Sequence, residues 1–215
     1  MRFSTMSGAG RASGAALAIV AADPLAAETI AGAFEPMNGF GDSAFTGQDE
    51  EFTAQVAITR SDGALTIAVS ARGMTPGVHL MHLHGFEGED PEEAVCPGME
   101  ADANGDGYVD LIETREAAGV TMIPLTDDPA SLAIQTDSYP VARENGSLDY
   151  AQEVDVEMLE EAVQEDFGGP VALERRVVFI HGVPDGTELP DSVESLEGVP
   201  AQTTIPIACA ELDES

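Results

Sequence analysis

The sequence predicts an all-β domain, either a β-sandwich or a β-barrel. Short segments with alternating apolar and polar residues recur along the chain, and glycine- or proline-containing turn signals separate them. Neither an internal repeat nor a heptad pattern interrupts this organisation. A chain of 215 residues is long enough for one such domain with a sizeable core.

The first half of the chain carries the clearest strand signals. Strands are predicted over residues 29–35 and 52–60, and the second of these is followed by the hairpin turn Ser61-Asp62-Gly63. The returning strand covers residues 64–71. The residues of the second strand that share one apolar face are Phe52, Ala54, Val56 and Ile58. This pattern indicates strands buried on one side.

The rest of the chain continues the same pattern around two exceptions. Residues 87–119 are polar and acidic and are predicted to form a long inserted loop, which in a compact domain usually carries function. Residues 155–166 place apolar side chains at helical spacing, so a short surface helix is predicted there, ended by Gly168. The remaining predicted strands are 79–85, 121–125, 148–154, 175–181 and 203–209.

The N-terminus is typical of an export signal. Arg2 and Arg11 precede an apolar stretch over residues 15–22, and small residues follow. This stretch is too short to span a bilayer. We therefore predict a signal peptide over residues 1–27, a mature domain over residues 28–215, and a periplasmic or secreted location. The alternative is a disordered tail rich in alanine and glycine.

The charge balance excludes several classes of partner. The formal net charge is -32, and all eight basic residues are arginine. Such a surface repels nucleic acid and anionic membranes, so neither is expected as a partner of the mature form. It fits a protein that works in salt, where screening reduces self-repulsion.

Cys96 and Cys209 are the two cysteines of the chain. In an exported protein an even number of cysteines favours a disulfide, and two buried thiols are the alternative.

Histidine is rare and clustered. The chain has four histidines, and three of them, His79, His82 and His84, fall within six residues. On a strand, residues two apart point to the same face, so His82 and His84 can meet one metal ion. His79 has the opposite parity and is expected to point elsewhere. This segment is the first candidate for a functional site.

Several segments resemble one known family in the same chain order. Residues 73–86, with the spacing G-M-T-P-G-V-H-L-M-H-L-H-G-F, are similar to the copper-ligand strand of the Cu/Zn superoxide dismutases. The hairpin 54–71 matches in length and alternation. Residues 176–181 resemble the strand that ends in the last copper histidine of that family, and residues 207–209 resemble its C-terminal cysteine strand. CHRD domains share similar His-x-His strands.

The resemblance implies a fold and a set of roles. The fold would be an eight-stranded Greek-key barrel or sandwich. His82, His84 and His181 would be copper ligands, and His79 would be a structural histidine that binds no metal. Cys96 and Cys209 would form the disulfide.

The chain also departs from this family. No histidine lies between His84 and His181, so the usual zinc site and the fourth copper ligand are missing. Tyr108, Glu100 or water could take the fourth position, and nothing in the spacing singles one out. Pro206 stands where the family has the arginine that attracts superoxide. We therefore expect no efficient dismutase activity.

The inserted loop contains a calcium motif of its own. Residues 102–113 match the twelve-residue EF-hand loop at every position, with Gly107 at the sharp turn. The predicted calcium ligands are Asp102, Asn104, Asp106, Tyr108 through its carbonyl, Asp110 through water, and Glu113. Cys96-Pro97-Gly98 leaves little room for an entering helix, so we predict an isolated structural calcium loop.

Three functional hypotheses follow from these observations. The first is an exported, non-enzymatic metal-binding protein with structural calcium and copper on three histidines. The second is a copper-only superoxide dismutase, which converts superoxide to oxygen and hydrogen peroxide. The third is a CHRD-like structural or interaction module, in which the histidines only make hydrogen bonds in the core.

Overall fold

A computed structural model describes residues 27–40, 51–184 and 186–214. These residues form two five-stranded antiparallel sheets and one two-stranded pair. The strands are β1 (Glu28–Ala33), β2 (Glu35–Pro36), β3 (Thr53–Ser61), β4 (Ala64–Arg72), β5 (Gly77–Val78), β6 (Leu80–Gly85), β7 (Val120–Pro124), β8 (Val141–Ala142), β9 (Leu148–Asp155), β10 (Val177–His181), β11 (Pro206–Glu211) and β12 (Asp213–Glu214). The helices are α1 (Arg115–Ala118), α2 (Val156–Phe167) and α3 (Ala201–Thr204). Short 3₁₀ turns cover Met99–Ala101, Pro129–Ser131 and Leu173–Arg175.

The two sheets face each other as a sandwich. Sheet A has the strand order β12-β1-β3-β4-β9, sheet B has the order β2-β11-β10-β6-β7, and β5 pairs with β8. Buried side chains of both sheets join one apolar cluster, for example Val56 and Ile67 of sheet A with Leu83 and Ile180 of sheet B. Each such side chain contributes about 1.5–3 kcal/mol when it is fully buried. The predicted all-β sandwich is thus the observed architecture.

The sheets are open. Among the described residues, no hydrogen-bonded ladder connects sheet A to sheet B, so a closed barrel is not formed. The apolar faces of the two sheets cover each other, and the core is buried without closure of the ladder. Eight of the described strands have five or more residues, and each sheet contains four of them.

The β3–β4 hairpin shows how local sequence specifies pairing. Asp62 and Gly63 form its two-residue turn with φ values of 49° and 82°, the left-handed pair that a type I′ turn requires. The register starts at Ser61 opposite Ala64 and continues to Thr53 opposite Arg72. A one-residue slip would turn the apolar face towards solvent, so the burial pattern fixes this register.

Helix α2 forms where the helical spacing predicted it. The Asp155 carboxylate accepts a hydrogen bond from the Met158 backbone N–H, which caps the first turn. Leu159 and Val163 face the core and are buried. Gly168 ends the helix with a φ of 71°.

The outer face of sheet B is covered by the segment between β6 and β7. Val177, Phe179 and Cys209 of this face pack against Val109 and Ala118 of that segment. A disulfide joins Cys96 in the same segment to Cys209 in β11. Residues that precede β7 therefore form a second, smaller apolar layer above the sheet.

The predicted signal peptide, residues 1–27, lies outside the described residues except for Ala27. Within the part of the chain that the structure describes, no helix is both long enough and apolar enough to cross a membrane.

Removing the disulfide should destabilise the fold. The two cysteines are separated by 113 residues in sequence, and a bridge over a loop of that length typically contributes about 2–5 kcal/mol. We expect the double variant Cys96→Ala, Cys209→Ala to lose that much free energy of unfolding in guanidinium titrations. Wild-type protein in reductant serves as the control and should show the same shift. Equal unfolding midpoints with and without the bridge would contradict this.

Candidate metal centre

Strand β6 positions two histidines on the outer face of sheet B. Met81 and Leu83 point into the core between the sheets, so His82 and His84 point to the opposite face. His181, the last residue of β10, joins them there because β10 pairs with β6. Parity along β6 thus places the first two rings as predicted.

Two irregularities in the ladders adjoin these histidines. The β6–β7 register shifts between Leu83 and His84, which brings Thr121 opposite His84. The β10–β11 register shifts between Ile180 and His181. Such bulges re-aim side chains and occur often beside functional sites. Here they flank two of the three rings.

The three rings converge on one point. The ring centroids of His82, His84 and His181 are 5.3–5.9 Å apart. Each ring offers one nitrogen, and these nitrogens lie within 4.8 Å of one another. A trigonal ion about 2.0–2.1 Å from each nitrogen needs separations of about 3.5 Å. Small ring rotations would therefore complete a three-nitrogen metal site.

The converging nitrogens lack partners inside the protein. His82 Nδ1, His84 Nδ1 and His181 Nε2 are buried and make no hydrogen bond. The other nitrogen of each ring is engaged: His82 Nε2 lies 2.6 Å from the Tyr139 hydroxyl, and His84 Nε2 lies 3.1 Å from the Thr121 hydroxyl. Buried polar atoms are normally paired, so three orphaned atoms facing one point indicate a ligand.

The tautomer of His181 follows from its partner. His181 Nδ1 lies 2.7 Å from the Thr204 backbone carbonyl, which can only accept a hydrogen bond. Nδ1 therefore carries the proton and donates it. In the neutral ring, Nε2 is left with a free lone pair directed at the other two histidines.

Burial keeps all three rings neutral. Burial, followed by the nearby His181 ring, holds the pKa values of His82 and His84 well below 6.5. Burial also lowers the pKa of His181, to about 4. A neutral imidazole is the form that binds metal, so protons compete weakly with a cation at this site.

His79 lies apart from this cluster and has a different role. Its Nδ1 is 3.1 Å from the His181 backbone carbonyl, and its Nε2 is 2.9 Å from the Thr75 carbonyl. Burial lowers its pKa as well. The ring therefore connects the turn before β5 to the end of β10.

The far end of the histidine strand is held by Arg176. Its guanidinium donates to the backbone carbonyls of Phe86, Pro170 and Val171, and the side chain is buried. It packs over Gly85, where any β-carbon would collide with it. Each end of β6 is thus anchored by a buried side chain that bonds to backbone carbonyls.

Two carboxylates of the predicted calcium loop accept hydrogen bonds from the backbone of the loop itself. The Asp102 carboxylate accepts from the N–H groups of Gly105, Asp106 and Gly107, and Gly107 has a φ of 91°. Glu113 reaches back to accept from the N–H groups at the start of the loop. Among the described residues, the histidine cluster is the one group of at least three His, Cys, Asp or Glu side chains that converges within 4.8 Å. The carboxylates of the predicted calcium loop are spaced more widely.

The structure also brings in residues that sequence reasoning missed. Tyr139, Thr121 and Thr204 contact the outward nitrogens of the three rings, and no motif marks them. Of the residues considered for a fourth ligand, Glu100 is not part of the converging group, and the Tyr108 ring packs against Phe40.

Comparisons with known proteins do not identify a family for this chain. Neither protein-family models nor curated proteins match this chain. Among solved structures, the clock protein EA4 is similar with 14% sequence identity and a TM-score of 0.38. The match covers 86% of this chain and 92% of that one. A likeness at this level assigns neither a family nor a function.

Replacing His79 should affect stability and not metal capacity. His79→Ala removes the buried hydrogen bond to the His181 carbonyl and the contacts with Thr75, and it leaves a cavity, so we expect a loss of about 2–4 kcal/mol in the free energy of unfolding. At saturating metal the variant should bind as many equivalents as the wild type, whereas His84→Ala should bind fewer. Folded His79→Ala protein that binds fewer equivalents at saturation would show that His79 is a ligand.

Proposed function

We propose that this chain is an exported metal-binding protein whose buried histidines hold copper. The observation that carries this proposal is the set of three unpaired, buried ring nitrogens of His82, His84 and His181. An apolar enclosure around unpaired lone pairs is unfavourable unless a cation completes the site.

The donor set favours copper. Imidazole nitrogens suit copper, zinc, iron and nickel, and copper is the strongest binder of these in the divalent series. Structural zinc sites take four ligands, and the chain provides three histidines here. The wide carboxylate coordination that calcium or magnesium requires is absent from this cluster among the described residues.

The enclosure of the site argues against efficient dismutase chemistry. The metal-facing nitrogens have almost no solvent-accessible surface, while catalytic metal sites keep an open position for substrate. The net charge of -32 repels an anionic substrate, and Pro206 stands where the dismutase-like pattern has an arginine. We therefore favour copper binding over the alternative of a copper-only dismutase.

A CHRD-like module in which the histidines serve only the core is less well supported. In such a core both nitrogens of each ring would have a partner, as in His79, where the His181 carbonyl contacts Nδ1 and the Thr75 hydroxyl contacts Nε2. Three neighbouring rings with one unpaired nitrogen each do not fit that role.

The strand arrangement supports a dismutase-like Greek key. β4 pairs with β9, although β6 and β7, which lie between them in the chain, belong to the opposite sheet. A long return connection that restores pairing with an earlier strand is typical of Greek-key folds.

We also propose that the signal peptide is cleaved and that the protein is exported. The disulfide is consistent with an oxidising compartment.

We further propose that the loop over residues 102–113 binds one structural calcium ion. The support is that the Asp102 carboxylate accepts from backbone N–H groups within the loop, and that four of the loop side chains are carboxylates whose mutual repulsion calcium would relieve. The loop also contacts the segment that precedes α3: Asp110 accepts from the Glu194 backbone N–H, and Asp106 accepts from the Ser192 hydroxyl.

Copper binding can be tested directly on the mature protein. We expect one equivalent of copper to remain after gel filtration, and the oxidised sample to show nitrogen hyperfine coupling in its EPR spectrum. The variants His82→Ala, His84→Ala and His181→Ala should each weaken copper binding by about 100-fold or more. Wild-type protein that retains no copper would end the proposal.

A parallel assay separates binding from catalysis. Copper-loaded wild type and His82→Ala should give equally low superoxide dismutation rates because the wild-type ligands are enclosed. A fast wild-type rate that the variant loses would establish the dismutase alternative instead.

Calcium should stabilise the fold through Glu113. At a calcium concentration 100 times Kd, a site that exists only in the folded state adds about 2.7 kcal/mol. We expect Glu113→Gln to weaken calcium binding about tenfold or more, because it replaces a bidentate carboxylate with an amide. Glu116→Gln, an exposed glutamate in helix α1, is the matched control. A thermal midpoint that calcium leaves unchanged in the wild type would refute the site.

A further inference from the structure

Tyr139 lies against the side of the His82 ring that faces away from the other two histidines. Its hydroxyl oxygen lies 2.6 Å from His82 Nε2, and the two rings meet edge to face at a centroid distance of 5.2 Å. The tyrosine is only 3% exposed. The opposite nitrogen of His82, Nδ1, is the unpaired atom that faces the cluster.

A metal ion bound to His82 Nδ1 would determine the hydrogen-bonding role of the Tyr139 hydroxyl. Nδ1 must give its lone pair to the ion, so the ring proton resides on Nε2. That buried N–H then requires an acceptor, and the phenol oxygen of Tyr139 is the atom in contact with it. Without that oxygen, metal binding through Nδ1 would leave a buried donor unpaired.

The groups that contact the outward ring nitrogens are uncharged. They are the Tyr139 hydroxyl, the Thr121 hydroxyl and the Thr204 backbone carbonyl. The chain has 40 acidic residues. Among the described residues, no acidic side chain forms a hydrogen bond with any of these three rings.

The charge of the bound ion determines the free-energy cost of placing it in this uncharged site. The cost of burying a charge grows with the square of that charge, and a nearby carboxylate would offset it more for a divalent ion. Three neutral ligands in an enclosed, uncharged site therefore penalise Cu(II) more than Cu(I). Cu(I) is a d¹⁰ ion whose electrons impose no preferred geometry, so three nitrogen ligands are sufficient for it.

We propose that Tyr139 is a positioning residue that presents His82 to the metal through Nδ1, and that the uncharged shell it belongs to makes the site selective for monovalent copper. This inference rests on copper binding by the three histidines, as proposed above. It predicts a site that holds copper in its reduced state.

The positioning role is tested with Tyr139→Phe. We expect a loss of about 10–100-fold in Cu(I) affinity, measured anaerobically by competition with a chromophoric Cu(I) chelator. Tyr150→Phe is the matched control, because it removes another buried phenol hydroxyl, bonded to the Thr126 carbonyl. It should leave Cu(I) affinity within about threefold of wild type.

Nuclear magnetic resonance gives a readout that stability alone would not change. In Cu(I)-loaded wild type, which is diamagnetic, ¹⁵N spectra should show His82 protonated on Nε2 and metal-bound through Nδ1. A wild-type spectrum with metal on Nε2, or equal Cu(I) affinities for Tyr139→Phe and Tyr150→Phe, would overturn the positioning role.

The oxidation-state preference is tested at Thr121. Thr121→Asp places a carboxylate beside His84 Nε2, and Thr121→Val removes the hydroxyl without adding charge. We expect Thr121→Asp to lower the ratio of Cu(I) to Cu(II) affinity about tenfold or more, whereas Thr121→Val should change that ratio little. A wild-type site that binds Cu(II) more tightly than Cu(I) would overturn the selectivity. Absence of copper binding in the wild type would instead refute the underlying function.

Discussion

The structure is organised around three imidazole rings that are buried while one nitrogen of each stays unpaired. Burying a polar atom without a partner is costly, and here the cost falls on three atoms that face the same point. A bound cation would coordinate all three nitrogens and so remove the cost of leaving them unpaired. The sandwich, the bulges and the covering segments all hold His82, His84 and His181 in this arrangement.

The scaffold places these rings by simple geometric rules. Alternation along β6 separates core side chains from the histidines, and register shifts beside His84 and His181 adjust their direction. Arg176 and His79 then fix the strand ends through backbone carbonyls. Because these anchors are themselves buried, both ends of β6 are held against the neighbouring segments.

The acidic insert is attached to sheet B by two connections. Asn38 bonds to both backbone groups of Val109 and to the carbonyl of Pro206, which ties the calcium-motif loop to sheet B. The disulfide makes a second, covalent connection between the same layers. Where the dismutase-like pattern would lead into a zinc site, this chain has a loop whose carboxylates are turned towards its own backbone. The two candidate metal sites therefore differ in chemistry, one built from neutral nitrogen and the other from charged oxygen.

Local patterns were sufficient for much of this protein. Turn residues and alternation determined the β3–β4 hairpin, helical spacing determined α2, and strand parity separated His82 and His84 from His79. Those features depend on neighbours in the chain. The openness of the sheets depends on which edges pair, and the shell around the rings depends on contacts such as His82 with Tyr139, 57 residues away. Tyrosine and threonine are common and carry no spacing signal, so only tertiary structure could show that they complete the site and leave it uncharged.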